Sequence, residues 1–115
     1  IYAAADIFLM PSKSEPCGLS QMIASRYGAI PVVRETGGLY DSIHGYWEDE
    51  DGNMHGNGFT FAGYTSGELY ERTLAAVSLW RDPAKRKKFI EKIMSVDFSW
   101  RASAAEYASM YASLE

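Results

Sequence analysis

The sequence of 115 residues is poor in several features that would assign it to a class at once. It has one cysteine, which excludes an internal disulfide framework. It has no apolar run near the roughly 18–20 residues of a membrane span, so we expect no membrane partner. Its 11 basic and 15 acidic residues give a net charge of −4, which disfavours a nucleic-acid-binding surface.

The first residues lack two further features, an initiator methionine and the basic and apolar segments of a signal peptide. The chain begins with Ile1 in what resembles the end of a helix, and we expect it to be a fragment of a longer protein. Its length suits one domain or part of one. The apolar fraction of 47% is typical of globular proteins, so we expect a folded chain.

Three short apolar segments predict the strands of a parallel sheet. Residues 7–10 (IFLM) form a continuous apolar run that Pro11 closes, and residues 30–34 (IPVVR) form a second. A helix is expected between them, over residues 19–27, and residues 59–61 (FTF) resemble a third strand. Strands that alternate with helices predict an α/β fold with about three parallel strands. In a doubly wound order, residues 7–10 would form an edge of this partial sheet.

The last third of the chain is expected to be helical. Residues 66–81 and 83–95 carry apolar side chains at helical spacing, and Asp82 followed by Pro83 is typical of a helix start. A final helix is expected after Ser99, whose side chain can cap it. Its apolar stripe is expected to be core or to dock on another domain, and it comprises Trp100, Ala104, Tyr107, Ala108, Tyr111 and Leu114.

The segment of residues 44–58 has a different composition, rich in glycine and acidic residues. We expect an exposed loop with a tight turn at Asp51–Gly52. Both histidines, His44 and His55, lie in it. Their separation of eleven residues fits no standard metal-binding pattern, and we expect no metal site.

The most informative segment is residues 12–21 (SKSEPCGLSQ), which joins the first strand to the first helix. In parallel α/β sheets, ligands bind beyond the carboxyl ends of the strands. The first N–H groups of a helix have no partners, Gly18 lets a ligand approach the backbone, and the Ser20 hydroxyl adds a donor. These features predict an anion site that suits a phosphate. Glu15, at the rim, is better placed to accept hydrogen bonds from hydroxyls of the same ligand.

Other interpretations of this loop stay open at this point. Most strand–loop–helix turns that are rich in proline, glycine and serine bind nothing. Cys17 could act as a nucleophile, although neither histidine is placed to suggest a catalytic dyad. A thiol at a helix end can also react with thiol reagents without any catalytic role.

Seven motifs follow one another along the chain: AADI at 4–7, PS at 11–12, EPCGLSQ at 15–21, Gly28, PVVR at 31–34, TGGL at 36–39 and DFSW at 97–100. In this order they resemble the C-terminal part of bacterial glycogen synthases and plant starch synthases. The resemblance spans nearly the whole chain. It implies the GT-B architecture, in which two Rossmann-like domains enclose the active site, and this chain would be the last part of the second domain.

The resemblance implies a retaining transfer of glucose from ADP-glucose, or UDP-glucose, to the non-reducing end of an α-1,4-glucan in glycogen or starch synthesis. It implies no metal and no cofactor, and a cytoplasmic location or a plastid in plants. Glu15 would be the catalytic acidic residue that contacts the donor glucose. The residues implied to hold the donor sugar and diphosphate are Cys17, Gly18, Leu19 and Ser20, and those implied to line the cleft floor are Thr36, Gly37 and Gly38.

The resemblance also implies an N-terminal domain that holds most of the glucan and supplies the basic residues at the diphosphate. The chain would then divide into a donor-binding part at about 1–65 and C-terminal helices at about 66–115. We expect the fragment alone to be inactive, and to self-associate through its uncovered apolar edge. The alternative function is a non-catalytic module that binds nucleotide, phosphate or glucan.

Overall fold

A parallel sheet lies at the centre of the computed structural model, which describes residues 1–115. The strands in chain order are β1 (Ile7–Met10), β2 (Ile30–Arg34), β3 (Trp47–Glu48), β4 (Met54–His55) and β5 (Phe59–Phe61). The helices are α1 (Ser20–Arg26), α2 (Gly37–Ser42), α3 (Ser66–Arg81), α4 (Pro83–Ser95) and α5 (Trp100–Ala112), and a 3-10 turn covers Tyr2–Ala4. The expected α/β fold is confirmed.

The central sheet has three strands in the order β1-β2-β5. All pairs are parallel, with Ile7 opposite Ile30 and Val32 opposite Phe59. The three predicted strands therefore have the expected bounds and neighbours. β1 pairs only with β2, so its other edge carries no partner strand, and Leu9 on it is 47% exposed.

The core lies on both faces of β2 because alternate side chains of a strand point to opposite sides. Ile30 and Val32 belong to the larger cluster, between the sheet and the helices α3 and α4, and Val33 belongs to a smaller cluster beneath α2. The larger cluster also contains Phe59, Phe61, Ala76, Leu79, Phe89 and Ile93. Helices on both faces explain why the β2 sequence is apolar throughout rather than alternating.

Local signals set the ends of several helices. Gly28, which follows α1, has a φ of +87°, and this left-handed conformation lets the chain turn directly into β2. Between α3 and α4, an oxygen of the Asp82 carboxylate accepts hydrogen bonds from the backbone N–H groups of Ala84 and Lys85, at 3.1 and 3.2 Å. Pro83 is the first residue of α4, as predicted.

Residues 44–58 contain more structure than the sequence predicted. The strands β3 and β4 form an antiparallel hairpin that pairs Trp47 with His55. The expected turn is present: Gly52 has a φ of +79° and donates its N–H to the carbonyl of Asp49 at 3.0 Å. Strands of two residues are too short to show an alternating pattern, so the hairpin leaves no periodic signal in the sequence.

The helix α5 differs from the other long helices because none of its residues is buried. Trp100 is 87% exposed and Tyr111 is 64% exposed, so the predicted apolar stripe exists but is not core. Ser99 precedes the helix without a side-chain capping bond, contrary to the sequence prediction; its N–H donates instead to Asp97 at 2.8 Å. The molecule measures 50 × 33 × 32 Å, and its radius of gyration, 15.1 Å, exceeds the roughly 13 Å of a compact domain this size.

None of the helices combines the length and the apolar character that crossing a bilayer would require.

Candidate functional site

Two loops meet at the carboxyl edge of the sheet. The first connects the end of β1 to α1 and contains Glu15, and the second connects the end of β2 to α2. They are joined by a hydrogen bond of 3.0 Å from the N–H of Gly38 to the carbonyl of Glu15. This edge is where ligands bind in open parallel sheets, so the loops form the first candidate for a binding site.

Gly37 and Gly38 make this contact between the loops possible. A Cβ on Gly38 would overlap the carbonyl oxygen of Cys17, and a Cβ on Gly37 would overlap the carbonyl oxygen of Glu15. Gly37 also has a φ of +50°. The two glycines form the first turn of α2. Without side chains, the two glycines pack directly against the backbone of the first loop. The Thr36 side chain makes no capping bond.

The backbone N–H groups of residues 18–21 have no acceptor within the protein. Gly18, with a φ of +70°, turns the chain at the start of this run. Cys17 and Leu19 are exposed, and the Ser20 hydroxyl has no partner in the protein. Since α1 has only seven residues, the free N–H groups of the loop, rather than a long helix dipole, make this segment suited to an anion.

Glu15 lies in the same loop with its side chain partly exposed. The one hydrogen bond to its carboxylate comes from the Ser12 hydroxyl, at 3.4 Å, and it forms no ion pair. Most of its acceptor capacity is therefore free. A carboxylate beside unpaired N–H groups suits a ligand that carries both hydroxyl groups and an anionic group.

Two residues that the sequence analysis did not assign to the site hold this loop in place. The guanidinium of Arg34, at the end of β2, donates to the carbonyls of Lys13 at 2.8 Å and of Ala62 at 3.1 Å. The side-chain amide of Gln21 donates to the carbonyl of Gly18 at 3.0 Å. The sequence contained a signal for each role: Arg34 is a cation at the end of a buried strand, and Gln21 is a polar residue in the first turn of a helix.

No family model matches the chain. It is 51% identical over 111 residues to a glycogen synthase of Geotalea daltonii, a match that covers 96% of this chain and 22% of that protein. It is 51% identical over 114 residues to a glycogen synthase of Clostridium beijerinckii, covering 99% of this chain and 23% of that protein. It is 48% identical over 111 residues to that of Bacillus subtilis, covering 96% and 22%.

The chain is homologous to the C-terminal part of glycogen synthases. It spans less than a quarter of the length of these curated relatives. A solved structure agrees: the catalytic domain of starch synthase IV from Arabidopsis thaliana, bound to ADP and acarbose, is 43% identical with a TM-score of 0.82. That match covers 97% of this chain and 23% of the starch synthase chain. The resemblance stated from the motifs is confirmed.

The largest groove does not coincide with the loop that carries the motif EPCGLSQ. It has a volume of about 670 Å³ between α1 and the segment that joins α4 to α5, and Leu19 is its one residue from the loop. Met22 and Ile23 of α1 face Val96 and Phe98 across it. An anionic ligand needs hydrogen-bond donors, and the loop has free N–H groups whereas the groove is mainly apolar. The loop with Glu15 therefore remains the candidate site.

Cys17 and the two histidines are not brought together in this structure. The ring of His55 pairs with the Asp49 carboxylate at 2.9 Å and stacks on Trp47, whereas the backbone N–H of His44 donates to Asn57. Cys17 is an exposed free thiol. The structure contains no group of three or more histidine, cysteine or acidic side chains arranged to hold a metal ion.

Proposed function

We propose that the chain is the donor-binding part of a retaining glucosyltransferase that extends an α-1,4-glucan from ADP-glucose, with UDP-glucose as the other candidate donor. The observation that carries this proposal is the loop EPCGLSQ at the carboxyl edge of the sheet, with its unpaired N–H groups beside a carboxylate that accepts one long hydrogen bond. Identity of about half over the whole chain to named glycogen synthases supports it. So does the similarity to a starch synthase domain that was solved with ADP and acarbose.

In this proposal the loop binds the diphosphate of the donor. The N–H groups of Gly18, Leu19 and Ser20 and the Ser20 hydroxyl donate hydrogen bonds to phosphate oxygens. When the bond between glucose and the diphosphate breaks, negative charge grows on the leaving diphosphate. The same hydrogen bonds become stronger at that moment, so they stabilise the transition state more than the bound donor.

Glu15 acts on the sugar end of the donor. Its carboxylate accepts hydrogen bonds from glucose hydroxyls and lies near the carbon at which positive charge develops as the bond to the diphosphate breaks. It acts by binding and charge, and the reaction needs no thiol from Cys17. Gly37 and Gly38 hold the Glu15 backbone in place from behind, through the contacts described above.

We propose further that residues 1–65 form the donor-binding part and residues 66–115 the C-terminal helices of a larger GT-B enzyme. An N-terminal domain would then contribute most of the glucan contacts and the cations that neutralise the diphosphate. The chain alone would lack half of the active site and would not transfer glucose. This division follows the start of α3 at Ser66, which is where the sheet part ends.

Transfer of labelled glucose to glycogen tests the proposal. The complete protein is assayed with ADP-glucose and with UDP-glucose, beside residues 1–115 alone. A chimera of the Bacillus subtilis glycogen synthase, in which this chain replaces the segment that it matches, gives an independent assay. We expect transfer by the complete protein and the chimera and none by residues 1–115. A folded complete protein and a folded chimera that both fail to transfer glucose would contradict the proposal.

The alternative, a non-catalytic binding module, is favoured by one observation. The free N–H groups and their supporting glycines all lie within this chain, so an anion could bind without any other domain. Titration of the chain with ADP, followed by calorimetry, separates the two functions. ADP binding together with an inactive complete protein would favour the module.

We also propose that residues 1–115 self-associate when they are prepared alone. The free edge of β1 has an apolar sequence and no charged side chain to block the approach of another strand. Light scattering over a concentration series should show a rise in mass. A monomer at every concentration, with the β1 amides exchanging freely with solvent, would contradict this expectation.

A further inference from the structure

Gln21 is a fully buried polar residue in the first turn of α1. Its side-chain nitrogen donates one hydrogen bond to the carbonyl of Gly18 and another to the hydroxyl of Ser42, both at 3.0 Å. The Ser42 hydroxyl in turn donates to the carbonyl of Gly38 at 2.8 Å. One amide group therefore connects the candidate site to α2, the helix whose glycines support the same loop.

The hydrogen bond from Gln21 to the Gly18 carbonyl also fixes the direction of the next N–H group, that of Leu19. A trans peptide unit is planar, and its C=O and N–H groups point to opposite sides. The carbonyl of Gly18 and the N–H of Leu19 belong to one such unit. Because Gln21 holds this carbonyl toward the buried side, the N–H of Leu19 points away from it, and no group in the protein accepts it.

Gly18 is matched to this arrangement. A Cβ at residue 18 would lie 2.8 Å from Oε1 of Gln21 and 3.1 Å from Cγ of Glu15, in a backbone with a φ of +70°. A larger residue would therefore displace the Gln21 amide or the Glu15 side chain. The lack of a side chain at residue 18 therefore leaves room for the buried amide beside the loop.

The amide of Gln21 stabilises the core less than an apolar side chain of the same size would. Its Oε1 is buried and has no hydrogen-bond partner, and an unpaired buried oxygen destabilises the folded state. A methionine of similar length would fill the space without this cost. The two donors are what only the glutamine provides.

We propose that Gln21 is a positioning residue: by holding the Gly18 carbonyl it aims the Leu19 N–H at the diphosphate of the nucleotide sugar. This inference rests on the proposed function, since it presumes an anion at the loop. It assigns Gln21 no contact with the ligand, because its side chain is closed off from solvent. Its contribution to donor binding is made through the peptide between residues 18 and 19.

The test compares Gln21→Met with the wild type in the complete protein. Loss of one well-aimed hydrogen bond to a charged group corresponds to about a tenfold change in affinity. We expect the dissociation constant of ADP, measured by calorimetry, and the KM for ADP-glucose to rise about tenfold, while the KM for glycogen stays unchanged. The melting temperature should change little, because removal of the unpaired oxygen offsets part of the loss of the two hydrogen bonds.

Two further variants serve as controls. Ser25→Ala removes a buried hydroxyl from the same helix, one that donates to the backbone carbonyl of Gln21 at 2.9 Å, and it should leave ADP affinity unchanged. Ser42→Ala removes one of the two acceptors of Gln21 and should weaken ADP binding by less than Gln21→Met.

The possible results separate this inference from the function on which it rests. Wild-type ADP affinity in Gln21→Met would overturn the inference and leave the proposed function standing. A wild-type protein that binds no ADP would overturn both. A fall in melting temperature, with the affinities for ADP and glycogen lost together, would show a structural role and also overturn the inference.

Discussion

The loop between β1 and α1 and the helix α5 differ in how the rest of the chain holds them. The loop is fixed by the glycines of α2 and by side chains of Arg34 and Gln21. The apolar stripe of α5 is exposed along its whole length, and no residue of the helix is buried. The sequence pattern of α5 thus predicts an apolar face but not whether that face is covered. The shape of the loop, in contrast, is determined by contacts within this chain.

The largest predicted effect is a difference in stability between substitutions in α4 and in α5. Phe89 of α4 is fully buried and its ring meets those of Tyr46 and Phe59. We expect Phe89→Ala to lower the free energy of unfolding of residues 1–115 by about 3–5 kcal/mol. Trp100→Ala, in the exposed stripe, should change it by less than about 0.5 kcal/mol. Urea unfolding measures both, and equal losses would mean that α5 packs on the chain after all.

The second prediction concerns the chemical role of the loop. In the complete protein, Glu15→Ala should lower kcat about 100-fold, which is about 2.7 kcal/mol of transition-state stabilisation. The melting temperature should barely move, because the side chain is partly exposed and makes one long hydrogen bond. Ser14→Ala, an exposed neighbour without hydrogen bonds, is the matched control. An unchanged kcat with a clear loss of stability would make Glu15 a structural residue.

The third prediction tests how the loop is supported. Gly38→Ala should cost about 1–3 kcal/mol of stability and weaken ADP binding, because the new Cβ would push against the Cys17 carbonyl. Gly67→Ala is the matched control: nothing lies within 4 Å of its Cβ, and alanine suits a helix better. Thermal unfolding and ADP titration measure the two effects. A Gly38→Ala protein as stable as the control would show that the two loops need no such close contact.

The smallest effect lies in the β3–β4 hairpin, away from both regions. Hydrogen bonds from the His55 ring and from the backbone of Asn53 lower the pKa of Asp49 to about 2, from a usual value of 3.8. A lowered carboxyl pKa stabilises the fold above the unfolded value and stops doing so as the pH falls through the folded value. The hairpin should therefore lose this stabilisation between about pH 4 and pH 2, which should appear as a change in the NMR signals of Trp47. The Asp49→Asn variant should lack this transition.

Much of the fold was predictable because its signals are local. The continuous apolar run of residues 7–10, the glycine after α1 and the Asp82–Pro83 pair each act within a few residues, and each matches the structure. The β3–β4 hairpin was missed because strands of two residues have no period. The Ser99 cap was wrong because a nearby carboxylate, Asp97, binds the backbone there instead.

The candidate site was predictable only in part. Its position at the carboxyl edge and its unpaired N–H groups follow from the order of strand, loop and helix, and the assigned roles of Glu15 and residues 17–20 stay predictions. The support of the loop was not predictable. Whether Gly38 approaches Cys17, or Gln21 turns its amide toward Gly18, depends on how segments distant in sequence pack together.

The close approach of Gly37 and Gly38 to the first loop has a consequence for protein engineering. A graft of residues 11–21 into another α/β protein would transfer the motif without the backbone surface against which it folds. The recipient would also need two glycines at the carboxyl end of the neighbouring strand, in the register that brings the second N–H to the Glu15 carbonyl. The transplantable unit is a pair of adjacent strand ends, and either half by itself is a different loop.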